Sequence, residues 1–103
     1  MAYEVEWTES ALAGLTEAVE YIARDSLSYA ASLLVRADHA AITLCEFPNR
    51  GSLVREYRDP AVRELIVSSK YRLIYRVFRT KVSVIAFVHT SRDLAAFVDE
   101  TTS

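Results

Sequence analysis

The stretch from Arg63 to Asp93 carries the side chains best suited to chemistry. It reads RELIV, then YRLIYRVF, then VSVIAFVHTSRD: β-branched, aromatic-rich runs with arginines on alternate positions, ending on His89 and Arg92. Alternate residues of a strand share one face of a sheet, so Arg72 and Arg76 project together from one strand and Arg63 from the strand before it. Guanidinium groups present planar, forked donors that match phosphate and carboxylate. A histidine titrates near neutrality and can take or give a proton. Metal-free cleavage of RNA needs a base for the 2′-hydroxyl, cations for the strained phosphate and an acid for the leaving oxygen. Arg63, Arg72, His89 and Arg92 are the candidates for those roles. With Arg76 added, the same residues are the candidates for holding an anionic target or partner without chemistry. The plainer readings are a solvated sheet surface, an ion pair between Arg63 and Glu56, and a half-buried histidine at the end of a strand.

Other chemistries are poorly served. Two glycines cannot build a phosphate-cradling loop. His39, His89 and Cys45 have no metal-ligand spacing and no cofactor motif accompanies them, so neither a metal nor a cofactor is expected. The single cysteine permits no internal disulfide, which fits a reducing cytoplasm. No run of about 18 apolar residues appears, and the first residues lack a basic region followed by an apolar one, so neither a membrane span nor a signal peptide is expected.

The net charge of -2 conceals a segregation. Residues 1–49 hold two basic and eight acidic side chains, whereas residues 50–92 hold ten basic and three acidic ones. Local potential acts at short range, so the second segment can attract polyanions although the whole chain is acidic.

The elements that must position these residues follow from periodicity. Residues 1–103 are expected to form one domain. Tyr3, Val5 and Trp7 alternate on a short strand. Thr8 reads as an N-cap, with Leu12, Leu15, Val19 and Ile22 as the stripe of a first helix and Gly14 as the mark of a close helix crossing. A second helix is expected from about Tyr29 to Phe47, with Leu33, Leu34, Ala37, Ala41, Leu44 and Phe47 inward. The short connection makes the two an antiparallel hairpin. After the stop at Pro48, strands are expected at 52–57, 62–68, 71–79 and 81–90, with turns at Asp59-Pro60 and Ser68-Ser69-Lys70. Residues 92–99 read as a short helix. This order specifies an α+β fold of two layers: an N-terminal strand and a helical hairpin packed on an antiparallel sheet. Tyr71, Leu73, Tyr75 and Val77 should face the helices. Arg72, Ile74, Arg76 and Phe78 should occupy an open reverse face. On the last strand, Val82, Val84, Ala86 and Val88 read as the helix-facing set.

These residues resemble the RelE/ParE superfamily of small bacterial toxins. The matching stretches are YEVEWT, AVEYIA, LCEFPNRG, VRELIV, YRLIYRV and VIAFVHTSRDL, in that order over residues 3–95. The resemblance implies the toxin of a type II toxin–antitoxin pair, cytoplasmic, held in a hetero-oligomer by a cognate antitoxin. It implies one of two activities: ParE-like inhibition of DNA gyrase without catalysis, or RelE-like cleavage of mRNA in the ribosome by a metal-free endoribonuclease. The long helical hairpin with EYIA resembles the ParE-like branch. The segment from Val54 to Arg58 has arginine but no lysine, and position 97 is Phe97 where a RelE-like member would carry a tyrosine or histidine. The resemblance places Arg63, Arg72, His89 and Arg92 where superfamily members carry functional residues. An acidic, amphipathic antitoxin segment is expected along the hairpin groove and sheet edge, in contact with Arg72 and Arg76.

Overall fold

A computed structural model of the chain describes residues 2–92 and 94. A strand β1 (Glu4–Trp7) leads into α1 (Glu9–Ala23) and α2 (Leu27–Thr43), followed by β2 (Ser52–Leu53), β3 (Val62–Val67), β4 (Tyr71–Val77) and β5 (Lys81–His89). The chain is α+β, as its periodicity requires. Both helices start on hydroxyl caps. Thr8 Oγ1 accepts from the Ala11 amide at 3.1 Å and Ser26 Oγ from the Tyr29 amide at 3.2 Å, each satisfying a donor that the first helical turn leaves unpaired.

The sheet runs β1-β5-β4-β3-β2. β3, β4 and β5 form the expected antiparallel meander, with β2 antiparallel on its edge. β1 pairs with β5 in parallel, so the sheet is mixed. The hairpin between β3 and β4 holds Ser68 and Ser69 at φ 53° and 60°, the paired positive values that a type I′ turn requires, without the Asn-Gly that usually supplies them.

Among the described residues, two clusters form the core. The larger one lies between sheet and helices and contains Leu15, Leu33, Leu44, Leu73, Tyr75, Val84 and Phe87. The expected helix stripes are rotated slightly. α1 buries Ala11, Leu15 and Ala18 while Leu12 is exposed. α2 ends at Thr43, short of the expected Phe47, and buries Ala30, Leu33, Ala37 and Ala41 while Leu34 and, beyond the helix, Phe47 are exposed. The cause is close packing. A Cβ on Gly14 would lie 2.3 Å from the Phe87 carbonyl oxygen, so α1 rests directly on the β5 backbone and small residues must line that approach.

The second cluster corrects the expectation of an open reverse face. Val54, Tyr57, Val62, Ile74, Ala86, Val88 and Leu94 pack together there. The segment after Leu53 is turn rather than strand, and it folds across the sheet with Val54 and Tyr57 as buried anchors. A β-bulge also changes the facing of β5. Ile74 pairs with Ala86 but Tyr75 pairs with Val84, so Ile85 is the extra residue. Val82 and Val84 face the helices as expected, but beyond the bulge Phe87 takes that side and Ala86 and Val88 turn to the reverse. The helix expected over 92–99 lies outside the described residues except for Arg92 and Leu94. Among the described residues, no helix is long and apolar enough to cross a membrane.

Candidate functional site

The five candidate residues divide among three places. Arg72 and Arg76 do share the reverse face, but neither guanidinium is free. Arg72 Nε donates to Glu64 Oε1 at 2.6 Å, and its two terminal nitrogens donate to Glu56 Oε2 and Oε1 at 3.2 and 3.1 Å. Arg76 donates to Asp59 Oδ2 at 2.7 Å. Glu64 comes from β3, two residues along from Ile66, the residue opposite Arg72, which is the usual diagonal reach across a strand pair. Glu56 and Asp59 come from the segment that crosses the sheet. Only 12% of the Arg72 side chain is exposed.

The electrostatics agree with this geometry. The Arg72 hydrogen bonds hold the Glu56 carboxyl below its ordinary value. For Asp59 the Ala61 amide is the larger cause and Arg76 the next, again lowering it. Burial opposes the charge on Arg72, but Glu56 and Glu64 outweigh it and its pKa is raised. The expectation of an uncovered cationic face is therefore corrected: the carboxylates of the same chain neutralise it.

Arg63 stands elsewhere. Its residue lies opposite Tyr75, on the helix side of the sheet. It donates to the carbonyls of Gly51 at 2.8 Å and Asn49 at 3.3 Å rather than to Glu56. Its buried Nε has no partner. The Gly51 amide in turn donates to the Tyr75 hydroxyl at 2.9 Å, and a Cβ at Gly51 would come within 2.6 Å of that oxygen. Burial pushes the Tyr75 phenol up, and the Gly51 amide opposes this. Arg63 thus fastens the turn from α2 into the sheet. His89 lies opposite Tyr71, four residues along β4 from the row of Arg63, a separation of roughly 13 Å.

His89 and Arg92 come together at the third place, a groove of about 540 Å³ between α1 and the end of β5. Its walls include Glu17, Glu20, Tyr21, Arg24, Tyr71 and Ser91. The Ser91 amide donates to His89 Nδ1 at 3.1 Å, with the Ser91 hydroxyl 2.7 Å from the same nitrogen. Nδ1 thereby accepts, which leaves a ring N–H on Nε2 facing outward from this contact. Tyr71 meets the His89 ring edge-on at 5.5 Å and stacks on Phe87 at 5.3 Å, so a column of aromatic rings holds the histidine in position. Burial raises the Tyr71 phenol pKa. Arg24 lies over the Tyr21 ring at 5.9 Å.

The structure therefore unites His89 with Arg92 and separates both from Arg63 and Arg72. Arg72 lies opposite Val88, next to His89 in the sheet, yet on the other face. Sequence reasoning missed Tyr21 and Arg24 as groove residues. They sit one turn apart near the end of α1, a spacing that shares a face, but nothing in the chain marks which strand that face meets.

Comparison with known proteins agrees with this architecture. The sequence model of the family described as the ParE toxin of the type II toxin-antitoxin system, parDE, matches residues 5–94. Toxin RelE2 of Caulobacter vibrioides is 35% identical over 89 residues, covering 86% of this chain and 97% of that protein. A solved structure described as the chromosomal ParDE TA system from P. aeruginosa superposes with a TM-score of 0.69 over 85% of this chain and 96% of its own, at 19% identity. The likeness to that structure is one of fold. Together with the α+β fold built on a helical hairpin and a five-stranded mixed sheet, the match over nearly the whole chain makes this protein a member of the ParE toxin family, a RelE/ParE superfamily toxin of a type II toxin–antitoxin system whose partner is a cognate antitoxin.

Proposed function

We propose that this toxin acts in the cytoplasm as a ParE-like inhibitor of DNA gyrase, a binding protein and not an enzyme. One observation carries the reading: the side chains that metal-free RNA cleavage would need do not converge. Arg72 is held by Glu56 and Glu64, Arg63 bonds to backbone carbonyls on the other face, and only His89 and Arg92 share a groove. A phosphate at His89 would meet Arg92 and Arg24 but also Glu17 and Glu20. Such a mixed lining suits a protein surface better than a polyanion.

The antitoxin reading changes in emphasis. An acidic segment contacting Arg72 or Arg76 would first have to displace carboxylates of this chain. The exposed apolar side chains of the hairpin, among them Leu27, Leu34, Val35 and Ile42, support burial by an amphipathic segment instead.

RelE-like cleavage of ribosome-bound mRNA is the alternative, and the name of the Caulobacter relative favours it. Purified toxin in a gyrase supercoiling assay tests the choice. Loss of supercoiling at excess toxin is the expected result. Unchanged supercoiling, with new mRNA ends appearing in induced cells, would replace this reading by the alternative.

A further inference from the structure

The segment from Val54 to Asp59 repeats one triplet twice: Val-Arg-Glu, then Tyr-Arg-Asp. In the structure the three positions have three fates. Val54 and Tyr57 are buried in the reverse-face cluster. Glu56 and Asp59 turn onto the sheet arginines, Arg72 and Arg76 respectively. Arg55 and Arg58 are exposed. The second triplet is locked by its own turn, in which Asp59 Oδ1 accepts from the Ala61 amide at 2.9 Å while Oδ2 takes Arg76. Arg58, at φ 51°, accepts a backbone conformation that favours glycine in order to keep this register.

This arrangement costs more than a plain loop would. A residue at positive φ and two buried anchors hold two acids against two guanidiniums four residues apart on β4. We infer that Glu56 and Asp59 are built-in counter-anions that keep single-stranded nucleic acid off Arg72 and Arg76. The sheet beneath them is a phosphodiester-binding face held shut by its own chain. A phosphate approaching Arg72 finds each of its three nitrogens already donating to a carboxylate, Nε to Glu64 and both terminal nitrogens to Glu56. The inference concerns the selectivity of this face and does not require that gyrase be the target. The supercoiling assay reads the target separately on the same variants.

The test neutralises the two acids in the full chain. In Glu56→Gln/Asp59→Asn the asparagine keeps an oxygen for the Ala61 amide, so the turn is retained. Binding of a labelled oligouridylate of about ten nucleotides is measured by anisotropy across a salt series. The variant should bind about tenfold more tightly than the parent at low salt. Its log–log salt dependence should steepen by up to about 1.4, the value for two added phosphate contacts on a single strand, because Glu64 still holds Arg72 Nε. Adding Arg72→Gln and Arg76→Gln should remove the gain. Asp38→Asn/Glu46→Gln changes the net charge equally on exposed residues of the helical side and should reproduce little of it. No gain, an equal gain in the helical-side variant, or a gain that survives loss of the two arginines would each overturn the inference. If the double variant unfolds, Glu56→Gln alone carries the same comparison at half the salt increment.

Discussion

On the reverse face of the sheet, Arg72 and Arg76 are held by Glu56, Glu64 and Asp59. One residue further along the same strand pair, His89 and Arg92 stand exposed at the mouth of the α1–β5 groove. Both regions carry arginine, for opposite ends. In the middle of a sheet, a covering segment strips water from a guanidinium, and a desolvated charge persists only with a partner. At the end of a strand, water remains and the charge stays available to another molecule. Position relative to the covering segment, and not residue type or alternation, decides which cations are free.

The contrast exists only while α1 lies on β5, because that contact closes one wall of the groove. Gly14→Ala strikes it most directly. The added Cβ would sit 2.3 Å from the Phe87 carbonyl oxygen, which is backbone and cannot turn aside. We expect a loss of about 3 kcal/mol in denaturant unfolding, at the upper end for overpacking. A loss below about 0.5 kcal/mol would mean that α1 can lift off β5, and the groove would lose its status as a fixed feature.

A smaller effect should follow from Arg72→Ala, which leaves Glu64 and Glu56 without their cation. Breaking a fully buried pair costs about 3–5 kcal/mol, but these carboxylates keep 19% and 31% exposure, so about 2 kcal/mol is expected. The sign with pH is fixed by the same contacts. Glu56 and Asp59 have folded-state pKa values below their ordinary ones, so their stabilisation is complete above those ordinary values and lost as pH falls through the lowered ones. The acid limb of stability should therefore be flatter in Arg72→Ala than in the parent. An unchanged acid limb would show that the reverse face resembles the groove after all.

The sequence was legible where physics is local. Thr8, the Ser68-Ser69 turn, the helical hairpin and the two faces of β4 all depend on contacts within a few residues, whereas Gly14 marks a close approach whose partner is the β5 backbone and not the expected second helix. It was illegible where the chain folds back on itself. Residues 54–57 alternate well enough to pass for strand, yet they form the cover of the reverse face because Val54 and Tyr57 find Ile74 and Val88 there. No local signal marks Ile85 as the bulged residue, so every side chain of β5 beyond it was assigned to the wrong face. The pairing of Arg72 with Glu56 spans 16 residues and follows from the folding-back of the segment after Leu53, which no local signal marks.

The finest test of the contrast lies in the groove. His89→Gln/Arg92→Gln removes the imidazole and a guanidinium from the groove's mouth, where the ring's contacts are the edge of Tyr71 and the Ser91 groups. Exposed positions of this kind alter stability by less than about 0.5 kcal/mol. Arginines and ring side chains at protein contacts, by comparison, often carry 2 kcal/mol of binding. The variant should therefore unfold with the parent while needing more than about tenfold higher concentration to act on its target. Arg72→Gln should show the reverse pattern, with stability reduced and potency per folded molecule retained. If the groove variant loses stability and keeps potency, the free and the locked cations have exchanged roles, and the contact with the target must be sought on the helices, where Leu34, Val35 and Ile42 lie exposed.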